Sequence, residues 1–453
     1  MSNFRDADRQ TAFLLPPSVD EWLPQRHLAR FVVEVIDRLD LGGMIGAYRG
    51  SGSAAHHPRM LLGVLIYGYA TGVFSSRKLE RATYDSVAFR YIAANDHPDH
   101  DTIATFRRRF LKEIEGLFVR VLLLAREMGM LKMGTGGLDG TKIHANASRH
   151  SALSWEHASK LEAQLRAEVA DLLARAEAAD EADVPDGLSI PEELAVRERR
   201  LAKLAEARGK IEARAKERYE RERAEHEAKL AAREAKTATT GKKPGGKPPA
   251  PPGEGPLPND QINLTDEDWR IMPAAGGGFE QAYNAQAVVA SLRPMWFRRR
   301  TTSSSSNRCW ARSRLCPNDW ARPETLLADA GYFSAANVEA SRQAGLEPLI
   351  AMGRQPHHPP LGERLARQGP EPENPTPVEA MAHRLKTPEG RKLYALRKQT
   401  PEPVFGIIKS ALGFRQFSLR GLDKVRGEWS LVTMAWNLKR MFNLKRMFVL
   451  APT

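Results

Sequence analysis

"LLADAGYFS", residues 326–334, decides how this chain is read. Leu326, Leu327 and Ala328 form a short apolar run of the kind a buried strand presents, and it stops on an acid, Asp329. Gly331 then turns the chain, and Ser334 stands where a helix N-cap is expected before "AANVEASRQ". The same signature occurs earlier, in "GLDGTKIHANAS", residues 137–148, where Leu138 is followed by Asp139 and Gly140. A strand is expected there too, although Gly134, Gly136 and Gly137 weaken it. Two strand-end carboxylates, far apart in sequence, suggest a shared metal site. Hard divalent cations take oxygen ligands, and Mg²⁺ is typically held by one or two carboxylates with water and phosphate.

A third acid completes the set. In "YALRKQTPEPVFGIIK", residues 394–409, Thr400 can cap a helix, Pro401 can take its first position, and Glu402 follows in the first turn. Lys409 lies seven residues on, on the same helix face and about 10 Å along the axis. Tyr394 and Arg397 stand upstream at i, i+3. Alone, Glu402 reads as a first-turn acid favoured by the helix dipole. With Asp139 and Asp329 it suits two metal ions about 4 Å apart working on a phosphodiester.

The bulk properties agree with such a partner. The chain has 453 residues, 42% of them hydrophobic, enough for more than one domain. A net charge of +13 points to a polyanion, nucleic acid first, with a merely basic surface as the alternative. Residues 293–322 carry eight arginines against one acid, so +7 of the +13 sits in that stretch and the rest of the chain contributes only +6. The two cysteines, Cys309 and Cys316, fall there as well. They make no disulfide framework and no CxxC knuckle, which fits a reducing, cytoplasmic setting near the nucleoid. "MSNFRDADRQ" lacks the apolar core of a signal peptide, and no run of about 18 apolar residues is present to span a membrane.

Residues 18–130 read as helical. Ser18 and Glu21 suggest a capping box, Pro58 opens an apolar helix, Ser75 or Ser76 caps the next, and Asp101 or Thr102 opens another. Arg107, Arg108 and Arg109 are expected at the start of a helix, in contact with phosphate, or else in a solvated basic turn. Residues 155–177 and 189–235 predict two charged helices forming an antiparallel hairpin. Leu161, Leu165, Val169, Leu172 and Ala176 set the first stripe, and Leu194, Leu201, Leu204, Ile211 and Ala215 the second. A Pro/Gly-rich linker, expected to be disordered, follows. "GGFEQAYNAQAVVA" reads as a strand pair around a turn, and His357 with His358 as loop filler. Residues 293–322 show neither helical nor strand periodicity. Their Arg, Ser, Trp and Cys enrichment is what a GC-rich message gives in the wrong frame, with a basic surface loop as the milder explanation.

Taken together, "LDGTKIHANAS", "NLTDEDWRIMP", "FEQAYNAQAVV", "LLADAGYFS" and "YALRKQTPEPVFGIIK" resemble the successive motifs of DDE transposases of bacterial insertion sequences. The resemblance implies an α+β or α/β chain. Its parts would be a helical N-terminal DNA-binding domain (1–130), the first strand of an RNase H-like mixed-sheet core (131–150), a helical-hairpin insertion (151–236), the linker (237–260) and the rest of the core (261–450). It implies that Asp139, Asp329 and Glu402 are the catalytic acids and hold two Mg²⁺ ions, with Mn²⁺ able to substitute. Tyr394, Arg397 and Lys409 match the Tyr, Arg and Lys of the family signature, with one extra residue between Arg397 and Glu402. The reaction implied is nicking at transposon ends and strand transfer by a 3′-hydroxyl. The partners implied are end and target DNA and further copies of the chain, a homodimer or larger synaptic assembly, with no membrane.

The resemblance also demands a third strand and a helix between "NAQAVV" and "RPETLLAD", where residues 293–322 look like neither. Trp269 stands where something small and polar is expected. An impaired transposase is therefore one expectation. A non-catalytic DNA-binding remnant or repressor and a coiled-coil scaffold are the alternatives.

Overall fold

The computed structural model describes residues 18–48, 55–131, 134–148, 152–179, 190–241, 245, 247–274, 277–290, 296–302, 323–353, 370 and 372–450. The chain divides into two compact units, Met1–Asn146 with Asp268–Thr453, and Ala147–Glu267.

The first unit begins with helices α1 (Leu28–Asp37), α2 (Gly42–Gly46), α3 (Pro58–Thr71), α4 (Ser76–Asp85), α5 (Val87–Ile92), α6 (His100–Arg109) and α7 (Leu111–Glu127). Local side chains set where they start. The His27 and His57 imidazoles accept the amides of Ala29 and Arg59, each at 3.1 Å, and Pro58 sits at the first position of α3 as expected. Elsewhere the caps differ from the sequence reading. Ser18 accepts the Glu21 amide at 3.4 Å, but only a turn follows, and α1 begins at Leu28, beyond Pro24. Asp99, not Asp101 or Thr102, caps α6, accepting the Thr102 amide at 2.7 Å.

The second unit contains β2 (Ala152–Ser154), α8 (Trp155–Ala179), α9 (Ile190–Thr240) and β3 (Gln261–Asn263), following β1 (Thr135–His144) of the first. Arg208 pairs with Glu162, and Arg197 with Glu168 at 2.8 Å. The order of these pairs makes α8 and α9 antiparallel, as the stripes predicted. Leu165, Leu204 and Ile211 are buried between them with Ala158 and Ala207. Strand β2 pairs with β3, and Asn263 Nδ2 donates to the Ser148 carbonyl at 2.7 Å, so the two ends of the unit are held side by side. Residues 247–260 form no helix or strand before β3. They are nonetheless tied to α9: Arg218 donates to the Gly255 carbonyl at 3.0 Å and pairs with Asp260 at 2.6 Å, and His226 bonds the Pro249 carbonyl at 3.0 Å.

The first unit resumes with β4 (Arg270–Pro273), β5 (Phe279–Ala290), β6 (Trp296–Thr302), β7 (Thr325–Ala328), α10 (Ala335–Gln343) and β8 (Glu347–Ile350). It ends with α11 (Pro377–Lys386), α12 (Pro388–Gln399), α13 (Pro401–Gly406), a π-helical turn (Ile407–Ala411) and α14 (Leu422–Leu450). The mixed sheet runs β4–β5–β1–β7–β8, with β6 also on β5. Strand β5 is antiparallel to β1, β4 and β6, whereas β7 is parallel to β1 and to β8.

Strand β6 overturns part of the sequence reading. Residues 296–302 were expected to lack strand structure, yet they pair with β5 from Asn284↔Thr302 to Val289↔Trp296. Backbone pairing asks nothing of the side-chain pattern, so a run such as "WFRRRTT" can join an edge without alternating. Residues 303–322, with Cys309 and Cys316, and residues 354–369, with His357 and His358, lie outside the described residues. Trp269 is buried, 3% exposed. Helix α14 packs along α7, α3 and β6, and its fully buried Trp429 donates its indole N–H to the Gln286 carbonyl at 3.3 Å. Among the described residues no helix is long and apolar enough to cross a membrane.

Candidate active site

Strand register brings the first two acids together. Strands β1 and β7 are parallel neighbours with Gly137 opposite Leu327. Asp139 follows two residues later within β1, and Asp329 two residues after Leu327, just past the end of β7, so the two acids lie on neighbouring chains and each feels the other's charge. The glycines that weaken β1 on paper have work to do here. A Cβ at Gly137 would lie 2.5 Å from Thr400 Oγ1 and 3.1 Å from Pro401 Cδ, so only glycine lets the start of α13 sit against the strand. That seat brings Glu402, in the first turn of α13, toward Asp139.

Arg397, near the end of α12, stands between them. Its guanidinium is 3.8 Å from Asp139 Oδ2 and 3.9 Å from Glu402 Oε1, and its side chain is 14% exposed. Tyr394, one turn earlier, donates its hydroxyl to the Ala328 carbonyl at 3.2 Å, tying α12 to the end of β7. Burial raises the Tyr394 hydroxyl above the usual tyrosine range. Thr400 does not cap α13. Its hydroxyl donates back to the Leu396 carbonyl at 3.0 Å and closes α12 instead.

Only Asp329 stands at a strand end; Asp139 lies mid-strand in β1, which continues to His144 against β5, unlike the strand end expected from Gly140, and each acid spends one oxygen locally. Asp139 Oδ1 accepts the Gly140 amide at 2.8 Å, and Asp329 Oδ1 accepts the Gly331 amide at 3.0 Å, opening the short turn Ala330–Tyr332. Burial, reinforced by the charges of Asp329 and Glu402, pushes the Asp139 carboxyl up to about 6, against the opposing pull of the Gly140 amide and Arg397. Two carboxylates thus flank one arginine, with the charge of Asp329 acting on Asp139. Among the described residues, however, no three His, Cys, Asp or Glu side chains are gathered closely enough to form a ready metal cage. Arg397 stands between Asp139 and Glu402, and one oxygen each of Asp139 and Asp329 is turned onto a backbone amide.

Lys409 lies in the π-helical turn beyond α13, half-buried. Burial lowers its pKa, helped by Lys142 and Arg415 and opposed by Glu280. Its charged neighbours are thus two cations and one carboxylate.

The arginine cluster is only partly a surface. It closes α6 rather than opening a helix. Arg107 is 6% exposed and points inward: it donates to Tyr69 Oη at 3.0 Å and to the Phe74 carbonyl at 3.1 Å. Tyr69 in turn donates to Glu428 Oε1 at 2.9 Å, and Glu428 Oε2 accepts the amides of Ser418 and Leu419. A phosphate role for Arg107 is therefore replaced by a buried one. Arg108 and Arg109 are exposed, although Arg109 also donates to the Ala47 carbonyl and covers the Tyr48 ring at 5.1 Å. The sequence reading missed Tyr332, whose buried hydroxyl lies beside the acids. An aromatic residue three places after a strand-end acid was the available signal.

Two family models match this chain. A transposase domain (DUF772) matches residues 17–109, and a transposase DDE domain matches residues 370–442. No curated protein and no solved structure matches it. The second match covers α12 and α13, which carry Arg397 and Glu402 to Asp139 in β1, and runs on into α14. One match on the N-terminal helices and one on the acid-bearing helices of the same unit, both described as transposase domains, support a DDE transposase.

Proposed function

We propose that this transposase cuts and rejoins DNA at phosphodiester bonds, with Asp139, Asp329 and Glu402 as its acids. The observation that carries the reading is the parallel pairing of β1 and β7, which brings Asp139 and Asp329 onto neighbouring chains while Glu402 faces Asp139 across Arg397. The strand β6 supports it too, because it supplies the third strand that an RNase H-like core requires beside β5.

The donor set suits a hard divalent cation. It is all oxygen, it carries more negative charge than Arg397 offsets, and burial with the neighbouring acids raises the Asp139 carboxyl, a penalty a bound cation would relieve. Mg²⁺ or Mn²⁺ bound there would supply a Lewis acid for the attacking and leaving oxygens. The chain's own groups do the rest. Asp139, Asp329 and Glu402 hold the charge, and Arg397 balances it and is placed to meet a phosphate. Tyr394 fixes α12 against β7, and Lys409 with its cationic neighbours receives the DNA backbone further along. Arg108 and Arg109 offer a second contact on the N-terminal helices. Joining two DNA ends calls for at least two copies of the chain.

The test is divalent-ion-dependent nicking of DNA that carries the ends of the element encoding this chain. Cleavage by the intact chain and its loss in Asp329→Ala are expected. A chain that binds this DNA but never nicks it, with Mg²⁺ or Mn²⁺, is a DNA-binding remnant and the proposal is wrong.

A further inference from the structure

Tyr332 closes the short turn that follows Asp329 and is 2% exposed. Its hydroxyl is enclosed, and among the described residues nothing hydrogen-bonds to it. A Cβ on Gly140 would lie 3.2 Å from this oxygen, so the hydroxyl is pressed against the strand residue next to Asp139. Asp139, Asp329 and Arg397 all act on it electrostatically, and burial holds the phenol firmly protonated. The ring is placed by other means: the Tyr332 carbonyl accepts Asn337 Nδ2 at 2.8 Å, and the turn is capped by Asp329.

An enclosed hydroxyl without a partner is a cost to the fold, and phenylalanine would fill the same space without it. A tyrosine kept under those terms, among acceptors, is a donor waiting for an acceptor that arrives from outside. Accepting the reading of the acids as a phosphodiester-cutting centre, we propose that the Tyr332 hydroxyl is the hydrogen-bond donor this site holds for an oxygen of its ligand. That oxygen belongs either to the DNA phosphodiester or to a water carried in with a divalent cation. Tyr332 then touches what reacts, whereas Tyr394 only fixes α12.

Tyr332→Phe in the full chain tests this with three measurements. The first is the melting temperature in EDTA, which should equal or exceed that of the unaltered chain, because the orphaned hydroxyl is gone. The second is the rise in melting temperature on adding Mn²⁺ alone. The third is the nicking rate on end-bearing DNA, which should fall about 10- to 100-fold, the worth of a hydrogen bond to a charged group. A smaller Mn²⁺ response together with slower nicking assigns the oxygen to a water. An unchanged Mn²⁺ response with slower nicking assigns it to the phosphodiester. If the variant melts earlier in EDTA, the hydroxyl is structural and the proposal fails. It fails equally if the variant nicks at the original rate. If the unaltered chain neither responds to Mn²⁺ nor nicks DNA, the reading of the acids falls as well, a result distinct from the two failures specific to Tyr332.

Discussion

Asp139 carries the sharpest consequence of a single residue's surroundings. Its carboxyl is pushed up to about 6 by burial and by neighbouring acids, against 3.8 for an unperturbed aspartate. Between those values the folded chain keeps a proton that the unfolded chain has lost, so stability falls as pH rises through the window. Asp139→Asn removes that penalty. In EDTA the variant should match the unaltered chain below about pH 4 and exceed it above about pH 6, by up to about 3 kcal/mol as an upper bound. Denaturant melts at several pH values would show it, and a pH-independent difference would refute it. Asp139 itself was legible in the sequence because an acid directly after an apolar run is conspicuous. The inward turn of Arg107 was missed, although Ile103, Phe106 and Phe110 mark the buried stripe and Arg107 falls on it, four residues after Ile103. Three arginines in a row hide their individual phases from a reading of charge.

The close seat of α13 on β1 depends on a missing side chain. Gly137→Ala would drive a Cβ into Thr400 Oγ1, and overpacking of this kind costs about 1–3 kcal/mol. A second change, Thr400→Ala in the same chain, should recover part of the loss, and both effects are read by chemical denaturation. Full stability in Gly137→Ala would contradict the packing. A different element, α14, is tied to α3 and α6 through the Glu428–Tyr69–Arg107 contacts. Glu428→Ala strands a buried arginine and two amides, and about 3–5 kcal/mol of destabilisation is expected in a thermal or denaturant melt. Elements with an apolar stripe at helical spacing, such as α8 and α9, were readable from the sequence. Strand β6 was not, because its only qualification is the open edge of β5, a tertiary fact. The caps of α1 and α6 slipped for a similar reason: several polar residues could serve, and packing chose among them.

Over the whole molecule, charge is the property most easily overread. Of the net +13, +7 belongs to residues 293–322, so the global figure says little about where DNA would lie. A local experiment says more. Lys409→Ala should lower the slope of log binding constant against log salt by about 0.9, one phosphate contact, for DNA carrying the element's ends. An unchanged slope would remove Lys409 from the DNA path. The sequence revealed the presence of three acids and a long helical insertion. It could not reveal that β1 and β7 bring Asp139 and Asp329 onto neighbouring chains, because parallel pairing is set only when distant strands meet.

The paired neck of the inserted unit has one more consequence. Because β2 returns against β3 and Asn263 fastens Ser148, the two ends of the inserted unit form one paired neck. Lengthening or trimming both arms by equal numbers of residues would move the far end of the hairpin about 1.5 Å per residue from that neck and leave the β2–β3 pairing untouched. Selection can therefore tune the span of this arm as a free parameter, like the beam of a balance cut to measure, without disturbing the fulcrum.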